Sequence, residues 1–219
     1  MSTAASNPTL DELRDAVING HAKAAAALTA DALASGIGAQ EIVDTALIPA
    51  MDEAGRLFDQ GEFFVPELLV AARAMKAAQA LITPLLAAAG AVSRGKIVIG
   101  TVKGDLHDIG KNLVVALLQG GGFEVIDLGA DVPAEGFVAA VRDHTPDVVG
   151  LSALLTTTML QMQQTIRALG EAGLRERVKV MVGGAPVTDR FARDCGADGY
   201  ADNAAGAVAL ARTLVAAAR

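Results

Sequence analysis

Between Leu10 and about Ala89 apolar side chains return every three or four positions, the spacing that lines one face of a helix, and no alternating stretch interrupts it. The pattern predicts four helices, over 9–19, 21–35, 39–58 and 65–89, with Gly36 and Gly38, then Gln60 and Gly61, at the breaks. Pro66 falls in a first turn, where its missing N–H would have no partner anyway. Pro49 and Pro84 lie inside helical stretches, and each is expected to kink or end its helix.

Around 90–95 the chain turns small and polar, a short junction between two domains, 1–90 and 91–219. Beyond it the pattern changes. Short β-branched runs at 96–102, 124–128, 147–151, 178–182 and 199–201 alternate with helical stretches at 110–119, 134–142, 158–171, 188–194 and 204–218. Continuous apolar strands between helices predict a parallel sheet covered on both faces. The expected fold is α/β: a four-helix cap domain, then an open, doubly wound, five-stranded parallel sheet. Ligands of such sheets sit beyond the carboxyl ends of the strands at the point where the strand order reverses. Attention therefore goes to the loops after strands one, three and four.

Composition narrows the possibilities. The hydrophobic fraction is 52%, ample for packed cores, whereas aromatics are 3%, Trp is absent and the net charge is -7. Few stacking platforms and a negative charge exclude nucleic acid as a partner. Arg73, Lys76, Arg94 and Lys96 interrupt the Ala-rich runs, so no membrane span is expected. The first residues lack the basic start and apolar block of a secretory signal, and Cys195 is the only cysteine, which together point to the cytoplasm. Cys195 reads as a small packed residue, with nothing beside it to activate a thiol.

The loop after strand one runs Gly104-Asp105-Leu106-His107-Asp108-Ile109-Gly110-Lys111-Asn112. A phosphate-cradling GxxxxGK(S/T) loop is the obvious rival, but five residues separate Gly104 from Gly110, Asn112 stands in place of the hydroxyl, and two carboxylates would repel phosphate. A dinucleotide GxGxxG is also missing. What remains is a histidine two residues after an aspartate, either a metal ligand with a carboxylate behind it or a local hydrogen-bonded cap. A zinc site would want three or four protein ligands from a chain with three histidines and one cysteine. His21 reads as a solvated helix-start residue and His144 as a loop residue. A metal already held by a macrocycle needs a single axial ligand, which the chain can supply. After strand three, Ser152, Thr156, Thr157 and Thr158 put four hydroxyls into seven residues, one of which should cap the next helix. After strand four, Gly183-Gly184-Ala185-Pro186 offers a nearly side-chain-free wall, or a plain turn.

The run Asp105-x-His107-x-x-Gly110, followed by Ser152-x-Leu154 and Gly183-Gly184, resembles the cobalamin-binding signature of methionine synthase and of the small corrinoid proteins of methanol, methylamine and O-demethylase systems. Gly61-Glu62-Phe63-Phe64-Val65-Pro66-Glu67-Leu68 resembles the cap segment of the same family, so the likeness spans nearly the whole chain. The resemblance implies that cobalamin, a corrinoid whose cobalt alternates between methylcobalamin and cob(I)alamin, binds with His107 as lower axial ligand in place of its own dimethylbenzimidazole. It implies that Asp105 accepts a hydrogen bond from the far nitrogen of His107. Thr158, where the family often has serine, would complete the relay. Gly104, Leu106, Asp108, Gly110 and Leu154 belong to the implied cofactor-binding set. Ser152 and Thr156 would contact the nucleotide tail, Gly183 and Gly184 would line its slot, and Phe64 would shield the methyl-bearing face.

The function so implied is methyl transfer on cobalt between a substrate-specific methyltransferase, of methylamine, methanol or methoxy-compound type, and an acceptor methyltransferase using tetrahydrofolate or a thiol. A reductive activase of the corrinoid and a homodimer are further partners that the resemblance allows. No ~250-residue barrel is present to activate a methyl donor, so the chemistry would be shared with other proteins. Three other roles compete: a cobalamin-dependent sensor, which would want a DNA-binding partner; the cobalamin subunit of a split methionine synthase; and a mutase module, which would not need a helical cap.

Overall fold

A computed structural model describes residues 7–89 and 94–218, so most of the expected junction lies outside the described residues. The chain divides into two compact units, Met1–Val92 with Gly120–Gly122, and Ser93–Gln119 with Phe123–Arg219.

The first unit is helical: α1 (Pro8–Ile18), α2 (Ala22–Ala34), α3 (Ala39–Ile42), α4 (Ile48–Asp59) and α5 (Val65–Ala88). Asn7 caps α1, its side chain accepting the Thr9 N–H at 3.1 Å, with Pro8 in the first turn. The single helix expected over 39–58 is instead α3, a π turn at Val43–Leu47 and α4. Pro49 is the physical reason: it has no N–H to donate one turn back and its ring crowds the carbonyl there, and the widened turn just before it, closed by the Ile48 N–H on the Val43 carbonyl, makes room. Pro84, by contrast, does not end α5.

One face of α5 is buried through Leu68, Ala71, Ala74, Met75, Ala78 and Ile82, and the helix packs on α2. By length and composition Val65–Leu86 could cross a membrane, contrary to the expectation that no segment would. Its buried face within the helical unit and the exposed Arg73 and Lys76 fit a core helix.

The second unit holds β1 (Lys96–Thr101), α6 (Ile109–Gly120), β2 (Glu124–Asp127), α7 (Ala134–His144), β3 (Val148–Ser152), α8 (Met159–Glu171), β4 (Lys179–Gly183), α9 (Asp189–Cys195), β5 (Gly199–Ala201) and α10 (Ala204–Ala218). All neighbouring strands pair in parallel, in the order β2-β1-β3-β4-β5. The order reverses between β1 and β3, and Thr101 pairs with Ser152, which pairs with Gly183, so the three loops singled out from the sequence leave the sheet side by side. Ser152 is the last residue of β3 rather than the first of its loop, and His144 ends α7 rather than standing in a loop.

Gly184 has φ +127, and a Cβ there would run into the carbonyl of Ala153. Gly184→Ala should therefore cost roughly 2 kcal/mol or more in a urea melt of the apoprotein, from backbone strain and overlap together. Gly170→Ala, in α8 with open space around it, should instead stabilise by about 0.5–1 kcal/mol. Cys195 is buried, its thiol donating to the Ala192 carbonyl at 3.3 Å, and burial pushes its pKa up. The folded thiol should resist alkylation at pH 8 until denaturant is added. Because the folded pKa lies above the unfolded one, its stabilising contribution is full below the unfolded value and declines as pH rises past it, which melts at pH 7 and pH 9.5 would reveal.

Candidate functional site

Thr101 ends β1, and the chain then crosses the rim of the sheet to α6, carrying Asp105 and His107 on the way. Gly104 begins this crossing with φ +80, a conformation that favours glycine. Asp105 is fully buried, yet both carboxylate oxygens are richly served. Oδ1 accepts the His107 backbone N–H at 3.0 Å and stands 2.7 Å from His107 Nδ1. Oδ2 accepts the N–H groups of Leu154 at 2.7 Å and Leu155 at 3.3 Å, and the Thr158 hydroxyl at 2.7 Å. Burial alone would raise the Asp105 pKa, but the hydrogen bonds from Thr158, Leu154 and His107 outweigh it and hold the carboxyl well below the usual carboxylate range.

An ionised Oδ1 can only accept, so the ring proton belongs on Nδ1 and the lone pair of Nε2 is left for another partner. The His107 side chain is 51% exposed. Around it the chain leaves large apolar side chains in the open: Leu106 at 76%, Ile109 at 73%, and Leu154 and Leu155 at more than two-fifths each. An exposed imidazole, with bare aliphatic groups on its own loop, at the start of α6 and on the β3 loop bonded to Asp105, suits a broad ligand that is apolar on its underside.

Thr158 departs from one expectation. It occupies the N-cap position of α8 but makes no side-chain cap, its backbone being helical already. Its hydroxyl lies 2.7 Å from Asp105 Oδ2 and 2.9 Å from the Leu155 carbonyl. One proton cannot serve both acceptors, and the charged, shorter contact is favoured.

Ser152 and Gly183 sit half-buried at the ends of paired strands, and Thr156 is exposed. The bare wall expected at Gly183-Gly184 is partly taken up by the protein itself: the Ala153 carbonyl occupies the space beside Gly184, and a Cβ on Gly183 would stand 3.1 Å from the Ala201 carbonyl. Gly110 is the opposite case. It lies in α6 with nothing near its absent Cβ and no unusual backbone angle, so packing within the chain gives no reason for glycine there. Asp108 is exposed, and its carbonyl accepts the Asn112 N–H at 2.7 Å. In the helical unit, Phe64 precedes α5, its N–H held by Glu67 Oε2 at 3.0 Å and its surface 66% exposed.

Three features were missed from the sequence. Thr101, buried, donates its hydroxyl to the His107 carbonyl at 3.0 Å. Asp131 accepts the Gly104 N–H at 2.7 Å. Lys111, buried, places Nζ 2.6 and 2.7 Å from the Asp127 oxygens. A lone polar residue closing an apolar strand was a usable signal for Thr101; Asp127 at the end of β2 and Asp131 after it had none, because pairing of β2 with β1 is not written in the local pattern.

Among the described residues no group of three or more His, Cys, Asp or Glu could hold a metal ion. One axial nitrogen with its carboxylate fits a metal whose remaining ligands come with it in a macrocycle. Two family models, each described as a B12 binding domain, match the chain at residues 95–209 and 9–83. The chain is 46% identical over 209 residues to dimethylamine corrinoid protein 1 of Methanosarcina acetivorans, covering 94% of this chain and 97% of the relative. The crystal structure of a cobalamin-binding protein from Desulfitobacterium hafniense is similar at a TM-score of 0.78 and 36% identity, covering 94% of this chain and 98% of that one. A chain in the crystal structure of the methanol:cobalamin methyltransferase complex of Methanosarcina barkeri is similar at a TM-score of 0.84 and 31% identity, covering 96% of this chain and 81% of that one. The carboxylate-backed imidazole at the switch point thus sits in a chain matched across both units, and the protein belongs to the family of B12-binding corrinoid proteins.

Proposed function

We propose that this protein is a methyl carrier, holding cobalamin through Nε2 of His107 and serving one methyltransferase that loads a methyl group and a second that removes it. When bound, the corrinoid would supply a cobalt atom able to take up and give away methyl groups. The observation that carries the reading is the 2.7 Å contact of His107 Nδ1 with a fully buried, ionised Asp105. That contact fixes the tautomer, and on a half-exposed ring it would leave Nε2 available for ligation. Off the metal, Nε2 would be free to hold a proton, and the adjacent Asp105 carboxylate, 2.7 Å from Nδ1, would balance the charge of the ring. Thr158 keeps Oδ2 occupied meanwhile, so the negative charge needs no water.

Leu106, Ile109 and Leu154 would form the apolar seat, and the vacant side of Gly110 would admit the edge of the ring system; Gly104 and Asp108 shape the loop around them. Ser152, Thr156 and Gly183 would meet the nucleotide tail, with Gly184 needed for the strand packing beside it. We assign to the exposed ring of Phe64 the shielding of the methyl-bearing face, and to 1–90 and 91–219 the roles of cap and carrier. The Methanosarcina barkeri likeness, a methyltransferase complex, supports a docked methyltransferase as partner. An acceptor methyltransferase, a reductive activase, a dimer and a cytoplasmic site of action belong to the same proposal.

Apoprotein loaded with aquacobalamin should give a base-off, histidine-on absorption spectrum. His107→Ala should abolish it while far-UV circular dichroism and the melt stay near wild type; an unaltered spectrum would defeat the proposal. Thr158→Val removes one donor from Asp105 and should reduce the histidine-on share or the cobalamin affinity by roughly 10-fold, the usual cost of losing a partner behind a metal ligand. An equal spectrum and affinity would deny Thr158 its part.

A further inference from the structure

We infer that Asp131 is a positioning residue for His107, bracing the axial loop from the β2 side as Thr158 and Leu154 brace it from the β3 side. The inference rests on the assignment of His107 as axial ligand. Asp131 is one of two described non-glycine residues with positive φ, at +56°, the other being Thr145 at the end of α7. A left-handed backbone disfavours any side chain, aspartate and asparagine less than most, and glycine would adopt it freely, as Gly129 does two residues earlier at φ +83. An aspartate where glycine would be unstrained points to a use for the side chain.

That use is visible in the hydrogen bonds. The Gly104 N–H donates to Asp131 Oδ1 at 2.7 Å, and the Asp131 N–H donates to the Asp105 carbonyl at 3.0 Å. Asp131 thus grips the main chain on both sides of the Gly104–Asp105 peptide. The turn carrying it is itself tied to β1, the Thr101 N–H donating to the Gly129 carbonyl at 2.9 Å and the Val132 N–H to the Thr101 carbonyl at 3.0 Å, with a bridge between Val102 and Val132. At the far end of the loop the Thr101 hydroxyl fixes the His107 carbonyl. Asp105 can meet the imidazole only while its own main chain is held. Asp131 supplies that hold without touching the ring, and it is exposed, so its loss leaves no buried charge.

Substitution separates strain from contact. Asp131→Gly relieves the strained backbone and loses the bond to Gly104, whereas Asp131→Asn keeps an acceptor oxygen and tolerates the conformation. With aquacobalamin bound, Asp131→Gly should lower the histidine-on share several-fold at a melting temperature within a few degrees of wild type, and Asp131→Asn should restore most of it. In the apoprotein, hydrogen exchange of the His107 N–H, which bonds Asp105 and not Asp131, should quicken about 10-fold in Asp131→Gly. An unchanged spectrum and unchanged His107 exchange in Asp131→Gly, or an Asp131→Asn protein as impaired as Asp131→Gly, would overturn the inference while leaving the axial assignment standing. A wild-type protein without the histidine-on spectrum overturns both.

Discussion

A fully buried carboxylate at the sheet's rim is the interaction on which the rest depends. Left bare, Asp105 would be driven toward its neutral form, and an uncompensated charge would make the loop costly to close. Here two strands' loops converge on it: His107 from its own loop, and Leu154, Leu155 and Thr158 from the next. The same bonds that keep it ionised lock the two loops together and hand the ring proton to Nδ1. Stability of the rim and readiness of the imidazole therefore come from one cause.

Topology makes the convergence possible. Only where the strand order reverses do the loops after β1 and β3 leave the sheet as neighbours with their helices on opposite faces. Glycine then sets how closely backbones approach. At Gly184 the Ala153 carbonyl takes the place a side chain would need, which keeps the β3 loop drawn in, whereas the open flank of Gly110 has no internal use. The one glycine is explained by the protein's own packing; for the other we propose contact with the edge of the bound ring system.

Much of this could be read from the residues, for physical reasons that also mark where reading stops. Helix and strand are distinguished by periodicity, and the five strands and the helices between them follow it within a few residues. The spacing of Asp105 and His107 across one residue lets a side chain fold back on its neighbour's ring, so that pair was legible. The π turn before Pro49 was less so, since a proline announces a disturbance without saying which relief the helix takes. One of the four hydroxyls after β3 was expected to cap α8; Thr158 stands at that position without a side-chain cap, its hydroxyl turned to the buried Asp105 instead. Asp131 and the Lys111–Asp127 pair depend on β2 lying beside β1, a long-range pairing invisible to local pattern.

We propose that a single imidazole nitrogen, backed by this carboxylate, meets cobalt from below. A crystal structure of the cobalamin-loaded protein tests it most directly. The account predicts His107 Nε2 at bonding distance from the metal, with Asp105 Oδ1 still on Nδ1 and the nucleotide base displaced. Solvent, the cofactor's own base or any other side chain in that lower position would contradict it.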